Sequence, residues 1–167
     1  ADVFVENYRP GAFEALGLGY KDLAAINPKL VYCSISAFGA NGPKREATGY
    51  DNILQAYSGM MAMTGFGDGK PLKSGAPVVD YATGTTAAFA ITAALFQRQQ
   101  NDGRGQFIDV SMLDVALVLA SSHVTAFTWN GSHPKQKANT FPFATIGLYQ
   151  AQDAEIMIAA SNLRQQR

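Results

Sequence analysis

Two spacings of apolar residues recur along the chain, one near two residues and one near 3.6, and they divide it into alternating strands and helices. Asp2 to Tyr8 is β-rich and partly alternating, which predicts a short strand broken by Pro10-Gly11. Ala12 to Leu16 predicts a helical turn stopped at Gly17, and Tyr20 to Ile26 a short helix ended by Asn27-Pro28. Leu30 to Ser36 is a near-continuous apolar run, the pattern of a strand covered on both faces. Gly39 to Glu46 is rich in Gly, Asn and Pro and predicts a loop. Asp51 to Met63 predicts a helix, and Gly65 to Pro77, with its repeated glycines and prolines, a second loop.

The clearest helix runs from Asp80 to Gln100, where Ala87, Ala90, Ile91, Ala94 and Leu95 share one face and Gly103 stops it. Phe107 to Val110 predicts a strand, Leu113 to Trp129 a long apolar helix, and Gly131 to Ala144 a loop. Ile146 to Ala151 and Glu155 to Ala160 predict a hairpin turning at Gln152-Asp153-Ala154. Strands alternating with helices predict α/β layering, to which the hairpin adds an antiparallel element. The chain has neither an internal repeat nor a low-complexity tract.

Composition narrows the chemistry. The 167 residues suffice for one ordinary domain, and an apolar fraction of 47% with 16% charged residues is that of a globular chain. Thirteen basic residues balance thirteen acidic ones, so no basic patch points to nucleic acid. No run of apolar residues approaches the roughly 18 of a membrane span. The densest, Val110 to Leu119, is short and interrupted, so no membrane partner is expected. The single cysteine, Cys33, lies in the apolar run Leu30 to Ile35 and reads as a core thiol in a reducing compartment.

The sequence contains no dinucleotide-binding fingerprint, P-loop, zinc-protease motif or nucleophile elbow. Gly65-Phe66-Gly67-Asp68-Gly69 follows a helix instead of opening one, so a flexible loop is the better reading than a phosphate cradle. His123 and His133 have no partner at ligand spacing, and no metal is expected. Asp80 is the residue of interest. It opens the longest helix, where its carboxylate has two readings: a helix N-cap, or a nucleophile kept ionised by the helix dipole with room beside Ala82, Thr83 and Gly84.

Several ordered motifs carry a family resemblance. Val5-Glu6-Asn7-Tyr8-Arg9-Pro10-Gly11 resembles the V-E-N-[FY]-x-P-G segment of family III CoA-transferases. The likeness continues through Leu16 to Tyr20, Asn27 to Ile35, Gly49-Tyr50-Asp51, Ser58-Gly59 and Thr64-Gly65. It is strong at Pro77-Val78-Val79-Asp80-Tyr81-Ala82-Thr83-Gly84 and ends with Asn101 to Val110.

This resemblance implies part of a Rossmann-like large domain of a CoA-transferase, spanning residues 1–167. Asp80 is then the catalytic aspartate, which attacks the thioester carbonyl of an acyl-CoA and passes the acyl group on through covalent aspartyl intermediates. The substrates would be a coenzyme A thioester and a carboxylic acid, with no prosthetic group. Asn7, Tyr8, Arg9 and Tyr50 fall on positions that line the CoA site, with Arg9 either meeting a CoA phosphate or standing as a solvated surface charge. Gly59 and the glycines of the 65–69 loop are candidate backbone donors to the oxyanion. The racemases of the family carry a histidine where Tyr50 stands. A phenol of pKa about 10 is a poor base for an α-proton, which favours transfer over racemisation. The alternatives are racemase-like proton exchange and a non-catalytic remnant domain.

The glycine-rich loop of formyl-CoA transferases is not recognisable near Asn139 to Ile146. The resemblance also implies an interlocked homodimer in a longer parent protein. It implies a cytoplasmic location, or a mitochondrial or peroxisomal one in a eukaryote. The start at Ala1 without Met and the end at Arg167, where a helix is expected to begin, read as those of an internal fragment.

Overall fold

A computed structural model describes residues 1–100, 102–141 and 145–165. Three strands, β1 (Val3–Glu6), β2 (Val31–Ser36) and β3 (Phe107–Ser111), form a wholly parallel sheet in the order β1-β2-β3. The central strand pairs along both edges and is the most deeply buried, as its apolar run predicts. Its alternate side chains face two layers. Phe4, Tyr32 and Phe107 stand in register across one face, with Phe4 stacked on Tyr32 at 5.0 Å and the Tyr32 and Phe107 rings tilted against each other at 5.7 Å. Tyr20, opening α1 (Tyr20–Ile26), closes over this row.

The other face meets α4 (Val78–Gln100). Ala87 of α4 packs with Cys33 of β2 and Val110 of β3, joined by Ile35, Ala82, Ile91 and Ile108. Small residues on the helix allow this close approach, and the buried and half-buried face is the one predicted from Ala87, Ala90, Ile91, Ala94 and Leu95. Arg98, near the end of α4, binds Asp2 at 2.8 Å and donates to the Lys29 carbonyl at 2.7 Å, fixing the helix to the opposite end of the sheet. Gly103, with φ +74°, takes the Arg98 carbonyl and ends the helix as expected. Burial pushes the Cys33 thiol up to about 11, so it is a core thiol and not a nucleophile.

A second core lies where α2 (Asp51–Tyr57) and α5 (Met112–Leu119) meet the start of α4, around Leu54, Val79, Met112 and Ala116. Leu54 and Val79 are fully enclosed, worth about 1.5–3 kcal/mol each. The hairpin of β4 (Ile146–Gln150) and β5 (Glu155–Ala159) forms a separate two-stranded antiparallel sheet, closed by Ala151 and Ala154.

Four expectations are corrected. β1 ends at Glu6, because the Glu6 carboxylate accepts from the Tyr8 amide at 2.8 Å and turns the chain off the sheet. The helix expected over Asp51 to Met63 is two, α2 and α3 (Met60–Met63), parted at Gly59, whose φ of +84° lies in the left-handed region. The helix expected over Leu113 to Trp129 breaks at Ala120 into α5 and α6 (Ser121–Asn130), bent by 78°. At the bend the Ala120 amide closes α5 on the Ala116 carbonyl, and the Ala120 carbonyl accepts from the His123 and Val124 amides to open α6. Finally, α4 begins at Val78, two residues before Asp80, and by length and composition alone it is apolar enough to cross a membrane. Its alanines, threonines and glycine break up the large side chains and hide this from a search for a continuous apolar run.

The expected loop from Gly131 is a loop as far as Phe141; its residues 142–144, Asn101 of the motif after α4, and the last two residues of the C-terminal stretch lie outside the described residues.

Gly105 supplies a test of the sheet's entry. A Cβ there would overlap the Leu30 carbonyl, which is backbone and cannot yield. Gly105→Ala is expected to destabilise the full-length protein by about 1–3 kcal/mol, measured by urea unfolding.

Candidate active site

Parallel strands deliver their carboxyl ends to one edge of a sheet, and loops leaving that edge form the usual ligand crevice of open α/β folds. Here that edge carries a cavity of about 410 Å³. Asn7, Tyr8, Arg9 and Pro10 reach it after β1, Ser36 and Ala37 from the end of β2, and Met112 after β3. Thr48, Gly49 and Tyr50 enter ahead of α2, and Asp80, Thr83 and Gly84 from the first two turns of α4. All five site residues singled out in the sequence therefore line one cavity. Tyr50 is 83% exposed, with its ring free to meet a ligand. Gly84 stands one turn beyond Asp80, and no atom lies within 4 Å of where its Cβ would be. This is the room beside the carboxylate that the small residues predicted.

Asp80 is not the cap of its own helix. The Asp51 carboxylate, projected from the first residue of α2, accepts from the Val79 amide at 2.8 Å and the Asp80 amide at 3.1 Å through one oxygen. Its other oxygen accepts from Gln55 Nε2 at 2.6 Å, one turn along α2. Gln55 in turn accepts from the Ser74 amide at 2.8 Å. Asp51 is 5% exposed and Gln55 1%, so these bonds are made away from water. The Asp80 carboxylate has no hydrogen-bond partner among the described residues and faces the cavity. Desolvation by the cavity walls, and then the neighbouring Asp51 charge, raise its pKa above the ordinary aspartate value. The helix dipole was expected to hold Asp80 ionised. The shift runs the other way, because desolvation and then the Asp51 charge outweigh the helix dipole.

The sequence model of CoA-transferase family III matches residues 1–167. The chain belongs to that family. It is 40% identical over 164 residues to an acetyl-CoA:oxalate CoA-transferase of Acetobacter aceti, covering 97% of this chain and 42% of that protein. It is 40% identical over 167 residues to a human succinyl-CoA:glutarate CoA-transferase, covering 98% of this chain and 37% of that protein. A crystal structure of a CAIB/BAIF family protein from Brucella suis superimposes with a TM-score of 0.89 at 37% identity, over 96% of this chain and 42% of that one. The chain thus spans about two fifths of the length of these relatives.

Within this family III domain, the expected oxyanion donors are displaced. Neither Gly59 nor the 65–69 loop lines the cavity. The Gly69 amide is taken by Gln136, whose own amide binds the Lys70 carbonyl, so that loop is tied to the segment after α6. Three residues at or behind the cavity went unnoticed in the sequence. Asp51 and Gln55 carried a faint signal, an acid and an amide four apart at a helix start. Ser36 carried none. Its hydroxyl lines the cavity, is 8% exposed, and is the single buried side-chain polar atom without a hydrogen bond among the described residues.

The Asp80 shift makes a prediction about stability. A raised folded-state pKa means that the folded protein keeps the proton to a higher pH than the unfolded chain does, so stability falls as pH rises from 3.8 through the folded value. Asp80→Asn cannot ionise. It is expected to raise Tm at neutral pH and to lose that advantage in acid, measured by thermal denaturation over a pH series. A lower Tm for the variant at neutral pH would show that the carboxylate is instead stabilised where it stands.

Proposed function

We propose that the full-length protein transfers coenzyme A from an acyl-CoA to a carboxylic acid, with Asp80 as the covalent acyl carrier. The observation that carries this reading is an Asp80 carboxylate free of hydrogen bonds in a cavity shared with Asn7, Tyr8, Arg9 and Tyr50. A free, partly desolvated carboxylate is a better nucleophile than a solvated or capped one. Attack of an Asp80 oxygen on the thioester carbonyl breaks the C–S bond and releases CoA thiolate, leaving a mixed anhydride. The thiolate attacks the aspartyl carbonyl of the anhydride, freeing the donor acid and forming an aspartyl thioester. The acceptor carboxylate then displaces the thiolate, and the thiolate returns to the acceptor acyl carbon, regenerating Asp80. Electron pairs balance at each exchange without an external oxidant or reductant.

Arg9, which lines the cavity, suits a CoA phosphate or a second carboxylate of the acceptor. Oxalate and glutarate, named for the relatives, are both dicarboxylates, which favours a dicarboxylic acceptor. The outward aromatic residues of α4, Tyr81, Phe89 and Phe96, are exposed and support burial against a second copy, as an interlocked homodimer provides.

The test uses the full-length parent. Incubation with acyl-CoA and capture by hydroxylamine should modify Asp80, located by mass spectrometry. Asp80→Ala should lower exchange on the order of 10⁴-fold or more, the scale of losing a covalent nucleophile. Modification elsewhere, or unchanged exchange in the variant, would falsify the assignment. Deuterium incorporation at the α-carbon without acyl exchange would move the reading to racemisation.

Gly84 provides a second check with opposite signs. Gly84→Leu should stabilise α4 by up to about 1 kcal/mol through helix propensity. The same side chain would fill the space beside Asp80, so KM for acyl-CoA should rise by at least tenfold, on the order of the 1.4 kcal/mol lost per decade. Unchanged KM would show that the ligand does not pass Gly84.

A further inference from the structure

The bonds at the start of α4 assign a role to a residue outside the expected site. We infer that Asp51 is the positioning residue for the acyl-carrying carboxylate: held by Gln55, it takes the Val79 and Asp80 amides and so fixes both where Asp80 stands and which charge it faces. The inference rests on the reading of Asp80 as the nucleophile.

Three features support it. The first is geometry. A helix leaves its first amides without partners, and a side chain just ahead of the helix ordinarily supplies the cap. Here the cap comes from another helix, 29 residues earlier in the chain. A carboxylate reaching across from α2 couples the place of Asp80 to the seating of α2, through Leu54 and Val79 in one core.

The second is satisfaction. A buried carboxylate without full pairing is costly. Each Asp51 oxygen is bonded, one to two amides and the other to Gln55 Nε2, while Gln55 Oε1 is occupied by the Ser74 amide. The amide of Gln55 is thereby oriented so that its nitrogen must face Asp51. Asp51 thus accepts three hydrogen bonds, one from a side chain and two from the backbone.

The third is what surrounds Asp80. The titratable groups that line its cavity are Tyr50 just ahead of α2 and Tyr8 and Arg9 after β1, and Asp51 lies buried behind the start of α4. β2 and α5 present Ile35, Ser36, Ala37 and Met112, and within α4 Tyr81 is the titratable neighbour. Asp51 is the carboxylate held against the Asp80 backbone. After desolvation, the larger cause, it is the charge that raises the Asp80 pKa. A carboxylate so disfavoured is a more basic nucleophile, and in the covalent intermediates the repulsion is relieved because the acylated Asp80 is neutral. Asp51 therefore favours the acylated over the free enzyme.

The experiment compares full-length wild type with Asp51→Asn. The substitution keeps an acceptor for the two amides and removes the charge. Without the adjacent charge the Asp80 carboxyl ionises more readily, so the acid limb of kcat/KM for acyl exchange should move to lower pH. At neutral pH kcat should fall about tenfold to a hundredfold, the scale set by a displaced or weakened nucleophile. Less acyl-enzyme should be trapped on Asp80 at steady state. A uniform loss of activity with an unmoved acid limb would mean a structural role only and would overturn the inference. If the variant does not fold, hydrogen exchange in the wild-type protein decides. The Val79 and Asp80 amides are expected to be strongly protected, and exchange at the rate of open helix ends would overturn the proposal. Failure to trap acyl groups on Asp80 in wild type would instead remove the nucleophile reading itself, so the two failures are separable.

Discussion

A carboxylate from one helix closing the start of another is the constraint on which the arrangement of this domain's cavity depends. Asp51 ties α2 to α4 through the Val79 and Asp80 amides, and Gln55 extends the tie to the loop ahead of α4 through Ser74. Charged hydrogen bonds of this kind contribute more than neutral ones, about 1.5–3 kcal/mol, and their loss would leave buried groups unpaired. Leu54 and Val79 pack immediately beneath, so apolar burial and polar satisfaction hold the same junction. Were α2 to shift, the α4 terminus would lose its cap and its core contact together.

The rest of the fold supplies a rigid edge for that junction. The Phe4, Tyr32 and Phe107 row locks the register of the three strands on one face, and the alanine-rich stripe of α4 locks it on the other. These contacts lie toward the sheet's interior and its amino end, where Arg98 also binds. The cavity lies at the opposite, carboxyl end, among loops free to vary. The sheet itself is thus locked away from the cavity, and only the Asp51 junction holds the cavity end. Among the described residues this leaves the Ser36 hydroxyl and the Asp80 carboxylate without hydrogen bonds where a structural site would have satisfied both.

Local pattern made much of this legible. Tyr20–Ile26 has the predicted bounds, β2 lies within one residue of its predicted start, and the hairpin turns where its polar residues stand. Asn7, Tyr8, Arg9, Tyr50 and Asp80 were found through ordered motifs, and the structure brings them to one cavity although they come from three separate segments. What stayed hidden was non-local. The start of α4 at Val78 depends on a cap from residue 51, which no window around Asp80 contains. The breaks at Gly59 and Ala120 lie inside apolar stretches whose periodicity continues across them. The 65–69 glycines were candidate oxyanion donors, but the Gly69 amide donates to Gln136, far along the chain.

The pairing of Asp51 with Asp80 also answers the ambiguity that the sequence left at the helix start. One carboxylate cannot both cap a helix and attack a carbonyl freely, since each lone pair given to an amide is withdrawn from the nucleophile. Dividing the work between two carboxylates removes the conflict: the buried one takes the amides, while the exposed one keeps its oxygens open and is made more basic by desolvation and then by its neighbour's charge. Different surroundings are a recurrent way to give two chemically identical groups different tasks. With Asp80 as the proposed acyl carrier, a basic carboxylate would attack well but leave poorly from an anhydride. Attack of the thiolate at the aspartyl carbonyl, where Asp80 is the electrophile and not the leaving group, would make better use of that basicity than direct return of the thiolate to the donor acyl group.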